Sequence, residues 1–341
     1  IPQDILEIKD VFVANGHKLF VVGGAVRDAL LGKTPKDWDL ATDATPDKVE
    51  EMMYKGGFRT LPTGKSFGVI NVFTDSDEYE VATFRKDVGS GRRPDAVEFT
   101  DIATDVMRRD LTINALFFDI DTGEVVDLVG GIEDLKNGVV RTVGKAGDRF
   151  GEDRLRILRA IRFAARFGSG LDPDVEKSLE KDSNLEGVSS ERIRDEFLKG
   201  IKTAKSVKHF LELLNKFDLL KWVFKGINDI DTDFIEDKDS SILLAFILKR
   251  NPINGLDKKL KNLSYSLNEI KKIQFLLNLR ELNVENSFDL KKMQKNSGVS
   301  DEQIRKMGNL LALDSDIVET FINFKLSVSG QDAQNAGIKP G

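Results

Sequence analysis

The chain has 341 residues, of which 40% are apolar, with a formal charge of −6, two histidines and no cysteine. That length is more than one hydrophobic core usually serves, so two or more domains are expected. Without cysteine there are no disulfides, thiolate zinc sites or cysteine nucleophiles, and His17 and His209 alone supply neither a histidine metal cage nor a Ser-His-Asp triad. Chemistry therefore falls to carboxylates, arginines and backbone. No apolar run reaches the roughly 20 residues of a membrane-spanning helix, and no secretory signal is visible. A cytoplasmic protein with no membrane partner is expected. An organelle stays open because the chain starts at Ile1, and the oligomeric state is not legible.

In chain order, Leu19–Val22 reads as a short apolar strand ending in Gly23-Gly24, and residues 25–31 as a helix start. Residues 38–41 and 69–73 read as extended, and residues 79–84 alternate at period two. After Arg149 the pattern turns helical, with further helices expected at 207–217, 240–249, 266–277, 288–297 and 301–313 and a capped start at Ser189-Ser190-Glu191. The charge is uneven along this order: from Arg141 to Arg166 eight lysines and arginines face three acids. That run is compatible with a polyanionic ligand, and equally with solvated helix faces.

Two glycines at a strand-to-helix junction let backbone N–H groups approach an anion at a helix N-terminus. Arg27 could then clamp a phosphate with its planar fork. A glycine pair alone marks a tight turn just as readily. Asp37-Trp38-Asp39 follows closely, and on an extended strand residues i and i+2 share a face. Both carboxylates can therefore converge, and a histidine-free carboxylate pair suits Mg²⁺. Two such ions can activate an attacking hydroxyl and stabilise a leaving oxygen in phosphoryl transfer. Glu80, on the alternating segment, is a candidate third carboxylate, with a solvent-facing strand residue as the plain alternative.

These residues, Gly23-Gly24-x-Val26-Arg27-Asp28 followed by Asp37-x-Asp39, resemble the first motif of the class II tRNA nucleotidyltransferases, the CCA-adding enzymes and their bacterial poly(A) polymerase relatives. Four further segments are similar to family motifs in family order. They are Arg108-Arg109-Asp110-Leu111-Thr112-Ile113-Asn114-Ala115, then Asp127-Leu128-Val129-Gly130-Gly131 with Asp134, then Glu152-Asp153-x-x-Arg156, then Ser190-Glu191-Arg192-Ile193 through Glu196. The resemblance implies an α+β chain: a polymerase-beta-like mixed-sheet head (1–140), then an all-helical neck (141–205), body (206–285) and the start of a helical tail (286–341). It implies tRNA, CTP and ATP as partners, Mg²⁺ at Asp37 and Asp39, and a flexible loop containing Arg85 and Arg92. Arg109, Asp110 and Asn114 would meet ribose or triphosphate, joined by Gly23, Gly24 and Arg27. The neck arginines Arg159 and Arg162 would bind triphosphate or the tRNA end.

Asp153 and Arg156, three apart, would lie on one helix face. A carboxylate only accepts hydrogen bonds and a guanidinium only donates them. Cytosine and adenine both present an amino donor beside a ring-nitrogen acceptor, whereas guanine and uracil present a carbonyl beside an N–H. The pair can thus accept C and A without a nucleic-acid template, with Glu152 holding Arg156 in place; an ordinary surface ion pair is the alternative. Overall the expectation is CCA addition. A CC-adding or A-adding enzyme, a poly(A) polymerase, a non-catalytic RNA-binding relative and a small-molecule nucleotidyltransferase remain as rivals.

Overall fold

The structure, a computed structural model, describes residues 1–89, 96–283 and 286–324. Arg92 with its loop, and the last part of the expected tail, residues 325–341, lie outside the described residues. The chain divides into two compact units, the first covering Ile1–Gly187 and the second beginning at Val188.

The first unit is built on a mixed sheet. Its strands are β1 (Leu19–Val22), β2 (Leu40–Thr42), β3 (Arg59–Gly64), β4 (Val69–Phe73) and β5 (Glu78–Thr83), then a separate hairpin of β6 (Arg85–Val88) and β7 (Ala96–Phe99), then β8 (Phe117–Asp119) and β9 (Glu124–Val126). The seven-stranded order is β3-β4-β5-β2-β1-β8-β9. β1 runs antiparallel to β2 and β8, whereas β2 runs parallel to β5. β1 is buried on both faces, which is why it reads as an unbroken apolar run rather than an alternating one.

Side-chain alternation splits the core in two. Leu19, Val21, Leu40, Ile70, Val72 and Val81 point to one face, under the helices Gln3–Ala14 and Pro46–Lys55 that contribute Ile5, Ile8, Phe12, Val49, Met52 and Met53. Phe20, Val22, Ala41, Phe84, Val106 and Phe117 gather on the other. There Phe20, Phe84 and Phe117 pack ring to ring at centroid distances of 5.6, 6.3 and 5.9 Å, within the range favoured for tilted and edge-on aromatic pairs.

The arginine-rich stretch forms two helices, Ala146–Glu152 and Leu155–Phe167. The second is strongly amphipathic, burying Ile157, Leu158, Ile161 and Phe163. Contrary to the single helix face expected for Asp153 and Arg156, the chain breaks between them. Asp153 is extended at φ −147°, and its own carboxylate accepts the Leu155 N–H at 3.1 Å. A carboxylate that caps the next helix from outside competes with helix continuation.

The described part of the second unit is helical throughout. Helices expected from sequence appear as Val207–Lys216, Ser240–Ile247, Leu267–Asn278, Ser287–Ser297 and Asp301–Leu310, after Ser190–Thr203. Ser266 with Glu269 and Ser300 with Gln303 form capping boxes that fix two of the starts. Gly200 lets Ser190–Thr203 meet Val207–Lys216 closely, because a Cβ there would lie 2.1 Å from the Phe210 ring. Among the described residues no helix is long and apolar enough to cross a membrane.

Candidate active site

The turn leaving β1 has Gly23 at φ 67° and ψ −120°, a conformation that costs an L side chain energy and costs glycine little. Its N–H donates to the Leu116 carbonyl at 2.9 Å, and its carbonyl accepts from the Arg27 N–H at 3.1 Å, so the chain passes directly into the helix Gly24–Leu30. Beside the turn, the Val22 N–H donates to the Asp39 carbonyl at 2.9 Å. This extends the β1–β2 ladder one step past Leu40 and sets Asp39 next to Gly23. Asp39 lies two residues from Ala41, which places it on the phenylalanine face.

Although Asp39 is exposed as a residue, crowding partly desolvates its carboxylate and raises its pKa; the Asp37 charge pushes the same way, and Arg109 pulls it back down. Asp37 and Asp39 are therefore electrostatically joined. Glu80 is aligned with Asp39 by continuing the register of Leu40 opposite Val81. Yet no group of three His, Cys, Asp or Glu among the described residues gathers to hold a metal. Glu80 is itself exposed on β5, on the strand that pairs in parallel with β2.

Arg109 is the cation of the turn. Its guanidinium lies 4.4 Å over the Phe117 ring, and a Cβ on Gly23 would sit 3.6 Å from its Nη1. What aims it is Asp105, 1% exposed, whose Oδ2 accepts from Arg109 Nη2 at 3.1 Å and Nε at 3.3 Å. Asp105 Oδ1 accepts from Arg108 Nε at 2.8 Å and from the Arg85 backbone N–H at 3.1 Å. The Arg85 side chain donates to the Phe67 carbonyl and lies 3.5 Å from Asp87.

Arg27 does not extend outward as a phosphate clamp. Only 4% exposed, it donates from Nε to Asp28 at 2.9 Å and from Nη1 to Asn114 Oδ1. Asn114 donates to Asp110 at 3.3 Å, and Asp110 accepts from Arg159 Nε at 2.6 Å. Burial alone would raise the Asp110 pKa, but the Arg159 charge and hydrogen bond hold it below the ordinary carboxylate value. Arg166 reaches Asp28 at 3.0 Å, and Arg162 stacks 4.3 Å over Phe163. Residues 27, 28, 110, 114, 159 and 166 are thereby linked in one polar chain.

Glu152 bridges Arg149 at 2.5 Å and Arg156 at 2.6 Å, so Arg156 is held by Glu152 as expected. Arg149 Nη2 also donates to the carbonyls of Arg108 and Arg109 at 2.7 and 2.8 Å, and Arg156 Nη2 donates to that of Arg108 at 3.3 Å. Sequence reasoning passed over Asp105 and Arg149 as site residues. The spacing of Asp105 to Arg108 and Arg109, three and four on, was the available signal; for Arg149 the spacing of three to Glu152 signalled only a local pair, and its bonds to backbone carbonyls 40 and 41 residues away left no mark in the sequence.

Behind the site, Thr112 Oγ1 donates to Asp134 at 2.6 Å, and Arg141 pairs with Asp134 at 3.1 Å and Asp172 at 2.6 Å. Gly131 abuts this loop so closely that a Cβ would lie 2.2 Å from the Thr112 carbonyl oxygen.

A mixed sheet carrying a glycine turn beside an aspartate pair defines a polymerase-beta-like nucleotidyltransferase head, here followed by helices. The family model described as "Poly A polymerase head domain" matches residues 19–141, and "Probable RNA and SrmB- binding site of polymerase A" matches residues 170–230. The CCA-adding enzyme of Bacillus subtilis is 44% identical over 198 residues, 57% of this chain and 49% of that protein. That of Ligilactobacillus salivarius is 31% identical over 353 residues, 96% of this chain and 85% of that protein. The crystal structure of the Bacillus stearothermophilus CCA-adding enzyme in complex with CTP superimposes with a TM-score of 0.71 at 25% identity, covering 99% of this chain and 88% of that one. The chain belongs to the CCA-adding enzyme family of nucleotidyltransferases. It spans about half the length of some curated relatives that it matches, 49% in the B. subtilis case.

Proposed function

We propose that this protein adds C, C and A from CTP and ATP to the 3′ end of tRNA without a nucleic-acid template. One observation carries the reading: the Arg108–Arg109 segment serves both halves of the reaction, its Arg109 guanidinium standing at the Gly23 turn near Asp39 while its carbonyls anchor Arg149 and Arg156. The family to which the chain belongs acts on nucleotides and tRNA, and the bound CTP of the B. stearothermophilus relative supports the same substrate class here.

Asp37 and Asp39 are hard oxygen donors with no histidine or thiolate nearby, which fits Mg²⁺ completed by water and substrate phosphates. Asp37 and Asp39 would hold such an ion, whose Lewis acidity would polarise the α-phosphate and make the terminal tRNA hydroxyl more acidic. Arg109 offers its remaining donors to the triphosphate, and the Gly23–Gly24 backbone approaches it at the helix N-terminus. Arg27, Asn114 and Asp110 hold the ribose side of the pocket in shape. Asp153 accepts from the amino group of C or A while Arg156 donates to the ring nitrogen. Relatives from bacteria favour the cytoplasm, where tRNA is available.

The test incubates the protein with tRNA lacking its CCA end and with each nucleotide separately. Incorporation of two C residues and then A is expected. C addition without A makes the protein a CC-adding member, and failure to incorporate CTP at all overturns the reading. Asp39→Ala should abolish incorporation and leave tRNA binding nearly intact; normal turnover in that variant removes the metal assignment.

A further inference from the structure

We propose that Asp105 is a positioning residue that couples nucleotide choice to nucleotidyl transfer; this deepens the proposed function and rests on Arg156 as base reader. The carboxylate is 1% exposed and meets three elements at once. It orients Arg109, which faces the glycine turn and Asp39. It fixes Arg108, whose carbonyl accepts from both Arg149 and Arg156. It also accepts the Arg85 N–H at 3.1 Å, where β6 begins. No direct contact joins Arg156 to Asp39 in this arrangement; the route between them runs through the Arg108–Arg109 backbone, and Asp105 is the side chain that sets that backbone's pitch.

The physical reason is geometric. Arg108 and Arg109 follow the short helix Ile102–Met107, held at its start by Asp101, which accepts the Thr104 N–H at 2.8 Å. Past that helix no strand ladder restrains them until the bridge at Leu111. Their N–H groups bond back to the Asp105 and Val106 carbonyls at 3.3 and 3.1 Å, and two side chains pulled to the two oxygens of one buried carboxylate add the side-chain restraint that fixes which way the segment faces. Turning the segment moves the Arg109 guanidinium and both carbonyls together, so a change that loosens Asp105 alters base fit and triphosphate placement in the same step.

Asp105→Asn keeps the size and one acceptor but loses the charge that holds both arginines. It is compared with wild type for single-turnover CTP and UTP incorporation on tRNA lacking CCA, and for CTP and UTP affinity. The CTP rate constant should fall about tenfold and the CTP-to-UTP preference should narrow by a similar factor, the scale of one charge-assisted hydrogen bond. Asp105→Glu should restore part of both. A folded Asp105→Asn enzyme with an unchanged preference overturns the coupling, even if its rate falls. Arg108→Met, whose side chain is partly solvent-exposed, gives the same two readouts if the buried variant does not fold. A double-mutant cycle of unfolding midpoints for Asp105→Asn and Arg156→Ala tests the coupling without any activity. Non-additive shifts support it and additive shifts overturn it. If wild type incorporates no CTP, the functional reading fails while this cycle still decides whether Asp105 and Arg156 are linked.

Discussion

Gly131→Ala isolates the scaffold behind the site from its chemistry. The added methyl would lie 2.2 Å from the Thr112 carbonyl oxygen, 2.8 Å from its carbon and 3.0 Å from Leu116 Cδ2. Relief needs a displacement of about 1 Å to regain van der Waals separation. Thr112 resists it: its N–H donates to the Arg141 carbonyl at 3.0 Å and its hydroxyl to Asp134 at 2.6 Å. Overpacking a core contact costs about 1–3 kcal/mol, and weakening one of these hydrogen bonds adds about 1 kcal/mol. A total near 3 kcal/mol corresponds to a Tm lowered by roughly 6–12 °C for a unit of this size. Asn114 is two residues from Thr112, so the same shift disturbs its bonds to Arg27 and Asp110, and catalytic rate should drop while metal affinity at Asp37 and Asp39 stays close to wild type. Thermal unfolding followed by circular dichroism, with isothermal metal titration, separates the two effects. A Tm within about 1 °C of wild type would refute the packing argument.

Three further outcomes follow from the electrostatics. Arg27→Met removes one partner each from buried Asn114 and half-buried Asp28, which keep Asp110 and Arg166, and should cost about 1–3 kcal/mol of stability; a denaturant midpoint equal to wild type contradicts it. Arg156→Ala should weaken CTP and ATP selection over UTP and GTP by about 10–100-fold, read by competitive incorporation, and an intact preference removes Arg156 as base reader. Burial raises the folded pKa of Asp39 above its ordinary value, so its contribution to stability is complete below the ordinary value and is lost as pH rises through the raised one. In metal-free buffer Asp39→Asn should therefore overtake wild type by a few tenths of a kcal/mol toward neutral pH, because the exposed site is screened. Melting curves in which wild type gains on the variant as pH rises would reverse the sign.

What the sequence disclosed was local. The strand Leu19–Val22, the glycine turn and the Asp37-x-Asp39 pair are each contained within a few residues, and turn and strand chemistry act at that range. The pairing of Glu152 with Arg156 was legible for the same reason, at a spacing of four. What stayed hidden was the direction of side chains whose partners are distant. Arg27 follows a glycine turn as a phosphate clamp would, but it faces Asn114, 87 residues on. The break at Asp153 was hidden in a different way: no proline or glycine marks the position itself, and the decisive event is a carboxylate choosing to cap Leu155 instead of joining the preceding helix. Asp105 shows in the sequence only the spacing of an ordinary helix ion pair, and its burial sets it apart.

The arginine run of this acidic chain is also clearer in three dimensions. Its members do not form a bare cationic surface: Arg149 and Arg156 share Glu152, Arg154 pairs with Asp182, Arg159 with Asp110, and Arg166 with Asp28. A guanidinium carries five donors in a fixed fork, and a carboxylate engages only some of them while locking the plane of the rest. Pairing therefore trades long-range attraction for orientation, which suits discrimination between bases that differ in where a donor and an acceptor sit. Under the proposed function a net charge of −6 is no obstacle, because a nucleotide would be selected by the direction of donors at Arg109 and Arg156 rather than by the field of the whole protein. On that proposal the carboxylates around those arginines, Asp105 first among them, would be as much a part of the specificity as the cations they hold.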